Sequence, residues 1–314
     1  MEKPILPVIA GPTASGKTAV AVELCRIICG EVVSADSMQV YRDMDILSAK
    51  PTFAEMKGVP HHLIGFVEPA RRYTADAYRE DANACIADIR SRGAVPVLCG
   101  GTGLYINAVT RPMSFSEQSD EAMHARFMAM GETGEGRRRL HERLAEIDPE
   151  AAARLHENDV RRVSRAIEIY CLTGIPQTEH MRRDALREGD YREMIFALEW
   201  PRESLYRRID ARVDDMLSRG LIDEVRALMA DAQAHPTAIQ AIGYKEIAAA
   251  LRGDTTMEKA IHWMKQASRN FAKRQLTWFR HDDRVIWLSA EGRDAGSLAS
   301  EISDRLKDRF GDAI

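Results

Sequence analysis

The chain has no Cys-x-x-Cys pair, no long apolar run, no internal repeat and no low-complexity segment, and each absence removes a class of protein. Its five cysteines, Cys25, Cys29, Cys85, Cys99 and Cys171, stand in apolar surroundings. Cys25 and Cys29 are one helical turn apart, but no second ligand pair follows at zinc-site spacing, so buried reduced thiols are expected. No stretch approaches the roughly 20 apolar residues of a membrane span. The opening "MEKPILPVIAGP" lacks both a leader's apolar core and a small-residue cleavage site, so a cytoplasmic protein with no membrane association is expected. Net charge is scarce too: 44 Lys and Arg against 48 Asp and Glu leave −4. A nucleic-acid partner would therefore have to be met by a local patch.

What is present is a chain of 314 residues, 45% hydrophobic and 29% charged, long enough for a sizeable core and two structural units. The first 112 residues alternate short β-rich runs with helical ones: "ILPVIA", a helix, "EVVSAD", a loop-rich stretch, the helix "ADAYREDANACIADIRSRG", then "AVPVLCGG". That alternation predicts an α/β fold, a parallel sheet with helices on both faces. From about Pro112 to Tyr191 the pattern turns to charged, Arg-rich helices. "GRRRLHERLAEID", "PEAAARLHEN" and "DVRRVSRAIEIYCLTG" read as successive helices, with Pro149 near a first helical position and Asp159 as a cap; the stretch from Ser114 to Glu135 shows little pattern. β character returns over Met194–Trp200 and Arg284–Ala290. The expectation is a discontinuous core, residues 1–112 and 193–314, interrupted by an all-helical insertion at 113–192.

"GPTASGKT", Gly11 to Thr18, has the P-loop spacing and sits between a β run and a helix. Glycines let the chain fold back so that successive N–H groups point into one concavity, which the following helix N-terminus makes positive. Gly11, Thr13, Ala14, Ser15, Gly16, Lys17 and Thr18 are thus the candidate phosphate-binding residues. Lys17 supplies a point charge, and Thr18 can offer its hydroxyl to Mg²⁺, a cation that needs few protein ligands beside phosphate oxygens. The Asn-Lys-x-Asp base reader of regulatory GTPases is absent.

Ligands of open α/β sheets gather at the carboxyl ends of the strands. Asp36 ends "VVSAD" and Thr102 follows "VPVLCGG", so both should converge with Thr18; Asp36 then serves as a metal holder or as a general base on an acceptor. "PHH", His61 and His62, has no i+4 partner for a metal and reads as loop. Between about Met257 and Arg280, Lys265, Arg269 and Lys273 recur every four residues on one helix face, while Trp263 and Phe271 are expected to pack inward. Six Lys or Arg stand against two Asp from His262 to Arg284, and Arg161, Arg162 and Arg165 form a second cluster. These residues describe a P-loop enzyme acting on a phosphorylated small molecule, with an acceptor at Asp36.

Taken together, "GPTASGKT", "SADSMQVYRDMDILSAKP", "GVPHHLIG", "GGTGLYINAV", "DPEAAARLHENDVRRVSRAIEIYCLTG", "RIDARVDDMLSRGLIDEV", "AIGYKE" and "SRNFAKRQLTWFR" resemble the bacterial tRNA dimethylallyltransferases, from residue 11 to residue 280 and in order. Departures are local: Leu47 and Ser48 where Gly-Thr is usual, and Gly65 where Asp commonly follows "PHHLI". The resemblance implies a P-loop NTPase-like core and transfer of a dimethylallyl group from dimethylallyl pyrophosphate to N6 of the adenosine 3′-adjacent to the anticodon in tRNA. It implies Asp36 as the base, Thr102 beside donor and acceptor, and Arg208 or Arg212 neutralising pyrophosphate, with Mg²⁺ at Thr18. Ser37, Met38 and Gln39 would read or wedge the flipped base. The insertion, through Arg161, Arg162, Val163, Ser164 and Arg165, and the helix bearing Lys265, Arg269 and Lys273 would clasp the anticodon stem-loop of a tRNA held by a monomer. The alternatives are a small-molecule or nucleotide kinase using ATP, a free-nucleotide prenyltransferase with little use for an Arg-rich insertion, and a non-enzymatic RNA-binding protein indifferent to Asp36.

Overall fold

Five β-rich runs and a two-residue edge strand assemble one parallel sheet in the computed structural model, which describes residues 3–113, 120–230, 240–311 and 314. The strands are β1 (Ile5–Ala10), β2 (Gly30–Ser34), β3 (His61–His62), β4 (Val95–Gly100), β5 (Arg192–Glu199) and β6 (Val285–Ser289), in the spatial order β3-β2-β4-β1-β5-β6. Central strands buried on both faces read as continuous apolar runs, as "ILPVIA" and "VPVLCG" do. β3 falls where a loop was expected: Pro60 accepts the Val32 N–H at 2.9 Å and His62 Nε2 lies 2.6 Å from Glu31, which together draw the two histidines onto the sheet edge.

Two compact units divide the chain, Met1–Thr110 with Tyr191–Ile314, and Arg111–Asp190, with boundaries about two residues before those expected from the sequence. In the first unit, α1 (Lys17–Ile27) covers one sheet face, and α2 (Phe53–Met56) is a single capped turn. α3 (Ala75–Ser91) and α4 (Gly103–Thr110) cover the opposite face, where the Tyr78 and Tyr105 rings stack at 4.0 Å. Because the helices after β1 and β4 leave toward opposite faces, a crevice opens between the carboxyl ends of these neighbouring strands.

The second unit contains α5 (Glu121–Met130), α6 (Gly134–Ile147), α7 (Pro149–Arg154), α8 (Val160–Thr173) and α9 (Gln177–Ala185), with no strand among its described residues. Asp148 caps α7 and Asp159 caps α8. Its core holds Leu140, Leu144, Val163, Ala166 and Ile167. Here one expectation is corrected: Val163 and Ser164 are completely buried and cannot touch RNA, because they lie on the inward face of α8, whereas Arg161 and Arg162 are exposed. Residues 114–119, part of the stretch of weak pattern, lie outside the described residues.

The chain returns to the first unit through α10 (Arg202–Ser218), α11 (Leu221–Ala230), α12 (Tyr244–Leu251), α13 (Met257–Arg280) and α14 (Ala295–Phe310). Two further corrections fall on side chains. Trp263 is 45% exposed, since the inward stripe of α13 runs through Ala260, Met264, Ala272, Gln275 and Phe279. Cys29 and Cys171 are exposed: Cys29 lies past the end of α1 at φ 52°, off the helix face that buries Cys25, and Cys171 sits on the outer face of α8. No described helix is long and apolar enough to cross a membrane.

Candidate functional site

Gly11 (φ 145°), Ala14 (φ 61°) and Gly16 (φ 91°) give the loop after β1 its reversals. A left-handed alanine costs on the order of 1 kcal/mol, so something outside the loop has to hold it. Arg208 Nε donates to the Ala14 carbonyl at 2.8 Å, Trp200 Nε1 donates to the Ser15 carbonyl at 2.9 Å, and the Arg208 guanidinium lies 4.3 Å above the Trp200 ring. With these carbonyls tied outward, the N–H groups at the start of α1, which has no side-chain cap, stay available. Thr13 differs, because its N–H donates to Gln275 Oε1 at 2.8 Å.

Lys17, Thr18 and Arg212 border a cavity of ≈ 270 Å³ at the crevice. Lys17 donates to the Pro12 carbonyl at 3.3 Å; burial first, and then the Arg212 charge, lower its pKa, while Cys99 and Asp36 act in the opposite sense. Burial likewise lowers the pKa of Arg212, partly offset by Asp36 and Glu55. No hydrogen bond or ion pair holds Arg212 among the described residues. The two arginines differ in their contacts: Arg208 spends its Nε on the loop, and Arg212 lines the cavity without a hydrogen bond or ion pair among the described residues. The Thr18 hydroxyl has no hydrogen-bond partner among the described residues either. Among the described residues no three His, Cys, Asp or Glu are grouped to hold a metal, so any cation here would rely on Thr18, Asp36 and the ligand's own oxygens.

Asp36 borders the same cavity. The strand end is carried past β2 by the Ala35 N–H donating to Cys99 at 2.8 Å and the Thr102 N–H donating to Ala35 at 3.1 Å, and Tyr78 supports it by donating to the Ser34 carbonyl at 2.9 Å. Asp36 Oδ1 accepts from the Met38 N–H at 2.9 Å and the Gln39 N–H at 3.4 Å, leaving Oδ2 without a partner among the described residues. The Thr102 hydroxyl accepts from the Ser37 N–H at 3.0 Å and donates to Ser37 Oγ at 3.3 Å, so it orients the segment after Asp36. Ser37, Met38 and Gln39 all line the cavity, with the Gln39 amide held by Ala49 at 3.0 Å and Ser34 at 3.2 Å.

The basic stripe of α13 resolves into two kinds of residue. Lys265 pairs with Asp214 at 2.6 Å, and Arg269 reaches both oxygens of Asp210 at 2.9 Å. Lys273, the third residue of the stripe, is exposed and has no side-chain partner among the described residues. Phe271 and Arg274, on the same helix, line the cavity.

Sequence reading passed over three supports of the site: Trp200, Gln275 and Glu224, whose carboxylate accepts the N–H groups of Asp45, Ile46 and Leu47 at 3.0, 2.8 and 2.7 Å. The one local clue is "CGGTG". A Cβ on Gly100 would stand 2.1 Å from the Ala35 carbonyl, on Gly101 2.2 Å from Gln275 Nε2, and on Gly103 2.1 Å from Trp278. These glycines mark close approach by three different neighbours.

A model of the IPP transferase family matches residues 39–282, and a model of isopentenyl transferases matches residues 4–65. A tRNA dimethylallyltransferase of Desulforudis audaxviator is 47% identical over 290 residues, covering 92% of this chain and 93% of its own. One of Geobacter metallireducens is 45% identical over 295 residues, with 93% and 94% covered. Among solved structures, a tRNA delta(2)-isopentenylpyrophosphate transferase of Staphylococcus epidermidis gives a TM-score of 0.72 at 39% identity, covering 98% of this chain and 100% of that one. A eukaryotic dimethylallyltransferase captured acting on tRNA gives 0.83 at 29% identity, covering 98% and 79%. With a family model over residues 39–282 and relatives matched over more than nine-tenths of both chains, the chain belongs to the IPP transferase family.

Proposed function

We propose that this chain transfers a dimethylallyl group from dimethylallyl pyrophosphate to N6 of the adenosine 3′-adjacent to the anticodon in tRNA, releasing pyrophosphate. The observation that supports it most is the shared cavity: Lys17, Arg212 and Asp36 all line it, and among the described residues neither cation has a carboxylate partner and Asp36 Oδ2 has no hydrogen-bond partner.

Ionisation at the allylic carbon builds negative charge on the departing pyrophosphate. The uncapped N-terminus of α1, Lys17 and Arg212 are fixed in advance where that charge grows, so they stabilise the transition state more than the ground state. Mg²⁺, carried by Thr18 and phosphate oxygens, would supply further neutralisation of the leaving group. Adenine N6 is a weak nucleophile because its lone pair is delocalised into the ring. Asp36 Oδ2 takes the N6 proton as the N–C bond forms and the C–O bond breaks. The base must leave its stack to reach the cavity, and Ser37, Met38 and Gln39 are the residues it meets there. Arg161, Arg162 and Arg165 of the helical unit, with Lys273, are the cations assigned to RNA phosphates.

The test is incubation of purified protein and Mg²⁺ with labelled dimethylallyl pyrophosphate and an anticodon stem-loop, beside parallel tubes with AMP or ATP as acceptor and with labelled ATP as donor. Label entering the stem-loop alone is expected. Asp36→Asn should lower turnover by about 10²- to 10⁴-fold, the range for a lost general base, and leave stem-loop affinity within about twofold. Label in AMP or ATP would make the chain a free-nucleotide prenyltransferase, and phosphoryl transfer without prenyl transfer would make it a kinase.

A further inference from the structure

Gln275 joins two loops that are far apart in sequence. Its Oε1 accepts the Thr13 N–H at 2.8 Å, its Nε2 donates to the Gly101 carbonyl at 2.9 Å, and the side chain is 6% exposed. The partners lie 262 and 174 residues away. A carboxamide alone among side chains of this length presents one acceptor and one donor that do not exchange roles at neutral pH. Gly101 makes the contact possible, since a Cβ there would stand 2.2 Å from Nε2 and 3.2 Å from the Gly11 carbonyl.

We propose that Gln275 is a positioning residue that sets the separation between the phosphate loop and the turn carrying Thr102, and hence between the site of pyrophosphate departure and the site of proton removal. This rests on the reaction proposed above. Thr13 opens the loop that presents Lys17 and Thr18; Gly101 precedes Thr102, whose hydroxyl holds Ser37 beside Asp36. One amide thereby ties the donor side to the acceptor side. Group transfer needs the reacting atoms about 3–3.5 Å apart, and an error of about 1 Å costs on the order of 10²-fold in rate. A link that fixes this gap acts on turnover far more than on the binding of either substrate. α13 also sends Phe271 and Arg274 to the cavity wall, so the clamp and the wall are carried on one rigid element.

Two variants break the link from opposite ends. Gln275→Glu keeps the size and the acceptor but cannot donate to Gly101; Gly101→Ala leaves Gln275 intact and drives its amide away. In both, amide hydrogen exchange should quicken in peptides spanning residues 11–18 and 99–103 and stay unchanged in α14. The kcat at saturating substrates should fall about 10- to 100-fold, with Kd for inorganic pyrophosphate and for the stem-loop within about threefold. Combining the two changes should cost at most about twofold beyond the worse single variant, because one contact is lost in each. Unchanged exchange in both peptides would overturn the clamp. Quickened exchange with undiminished kcat, or a kcat loss that tracks only the unfolded fraction, would overturn the positioning role. Should wild-type protein transfer no prenyl group to RNA, the proposed reaction fails, while the exchange measurement still decides whether the clamp exists.

Discussion

Lys17 and Arg212 border one cavity, and neither has a carboxylate partner within ion-pair reach among the described residues. Each is lowered in pKa chiefly by burial, and Lys17 further by the Arg212 charge itself. Two neighbouring cations without counter-ions oppose folding, and an anion bound between them relieves both. Arg212→Leu should therefore melt no lower than wild type when unliganded. It should also lose more than half of the rise in Tm that pyrophosphate gives wild type, a rise equivalent to about 2.7 kcal/mol at 100 times Kd. A marked drop in the unliganded Tm would make Arg212 a structural residue.

Trp200 and Arg208 hold the backs of two phosphate-loop peptides. Trp200→Phe keeps the ring for Arg208 to stack on but leaves the Ser15 carbonyl unpaired, a loss of about 1 kcal/mol. If that loss is felt in loop geometry, pyrophosphate affinity by calorimetry should weaken about fivefold. An unaltered Kd would mean that the loop keeps its shape unaided.

Lys273 and Arg269 share a helix face and should behave differently. Lys273→Ala should weaken stem-loop binding and reduce the slope of log K against log salt by about one, with Tm unchanged. Arg269→Ala breaks a partly buried ion pair, in which one guanidinium nitrogen reaches both oxygens of Asp210, and should lower Tm by a few degrees, with a smaller effect on the salt slope. Equal salt slopes in the two variants would refute the distinction.

His61 donates Nδ1–H to the Val59 carbonyl at 2.9 Å and buries Nε2 without a partner among the described residues, and burial lowers its pKa from 6.5. Above about pH 6.5 the ring is neutral in both folded and unfolded chains, and stability is unaffected. Below that, the unfolded chain takes a proton that the folded chain refuses, so stability falls as pH falls. Between pH 7.5 and 5.5 urea denaturation should show wild type losing more stability than His61→Asn, by at most about 1.4 kcal/mol. Parallel losses in the two proteins would show that other groups govern the acid limb.

The phosphate loop was legible because its signal is contiguous, from Gly11 to Thr18, and Asp36 because a strand end is a local event. The basic stripe misled for a physical reason. Lys265 and Arg269 are four residues apart, as a solvated face would be, but Asp214 and Asp210 on antiparallel α10 are four apart too, and the two pairs form a two-rung ladder. Val163 and Ser164 were swept up with their arginine neighbours although helix period turns them inward. Gln275 and Trp200 carry no signal at their own positions: their importance lies in backbone atoms more than 170 residues away, which no window on the sequence contains.

β1 pairs with β5 at six positions, Ile5↔Arg192 through Ala10↔Ala197, but with β4 at only three, Val8↔Leu98 through Ala10↔Gly100. The strand that launches the phosphate loop therefore awaits its longer ladder until residue 197 has left the ribosome, and Trp200, Arg208 and Gln275 emerge later still. At about 5–20 residues per second that is a wait of roughly ten seconds or more, within which helices α5 to α9, with their local contacts, are complete. Assembly of the phosphate loop is thus among the last events in the life of the nascent chain, and a chain stalled during translation ahead of residue 200 is expected to leave that loop without its outer supports.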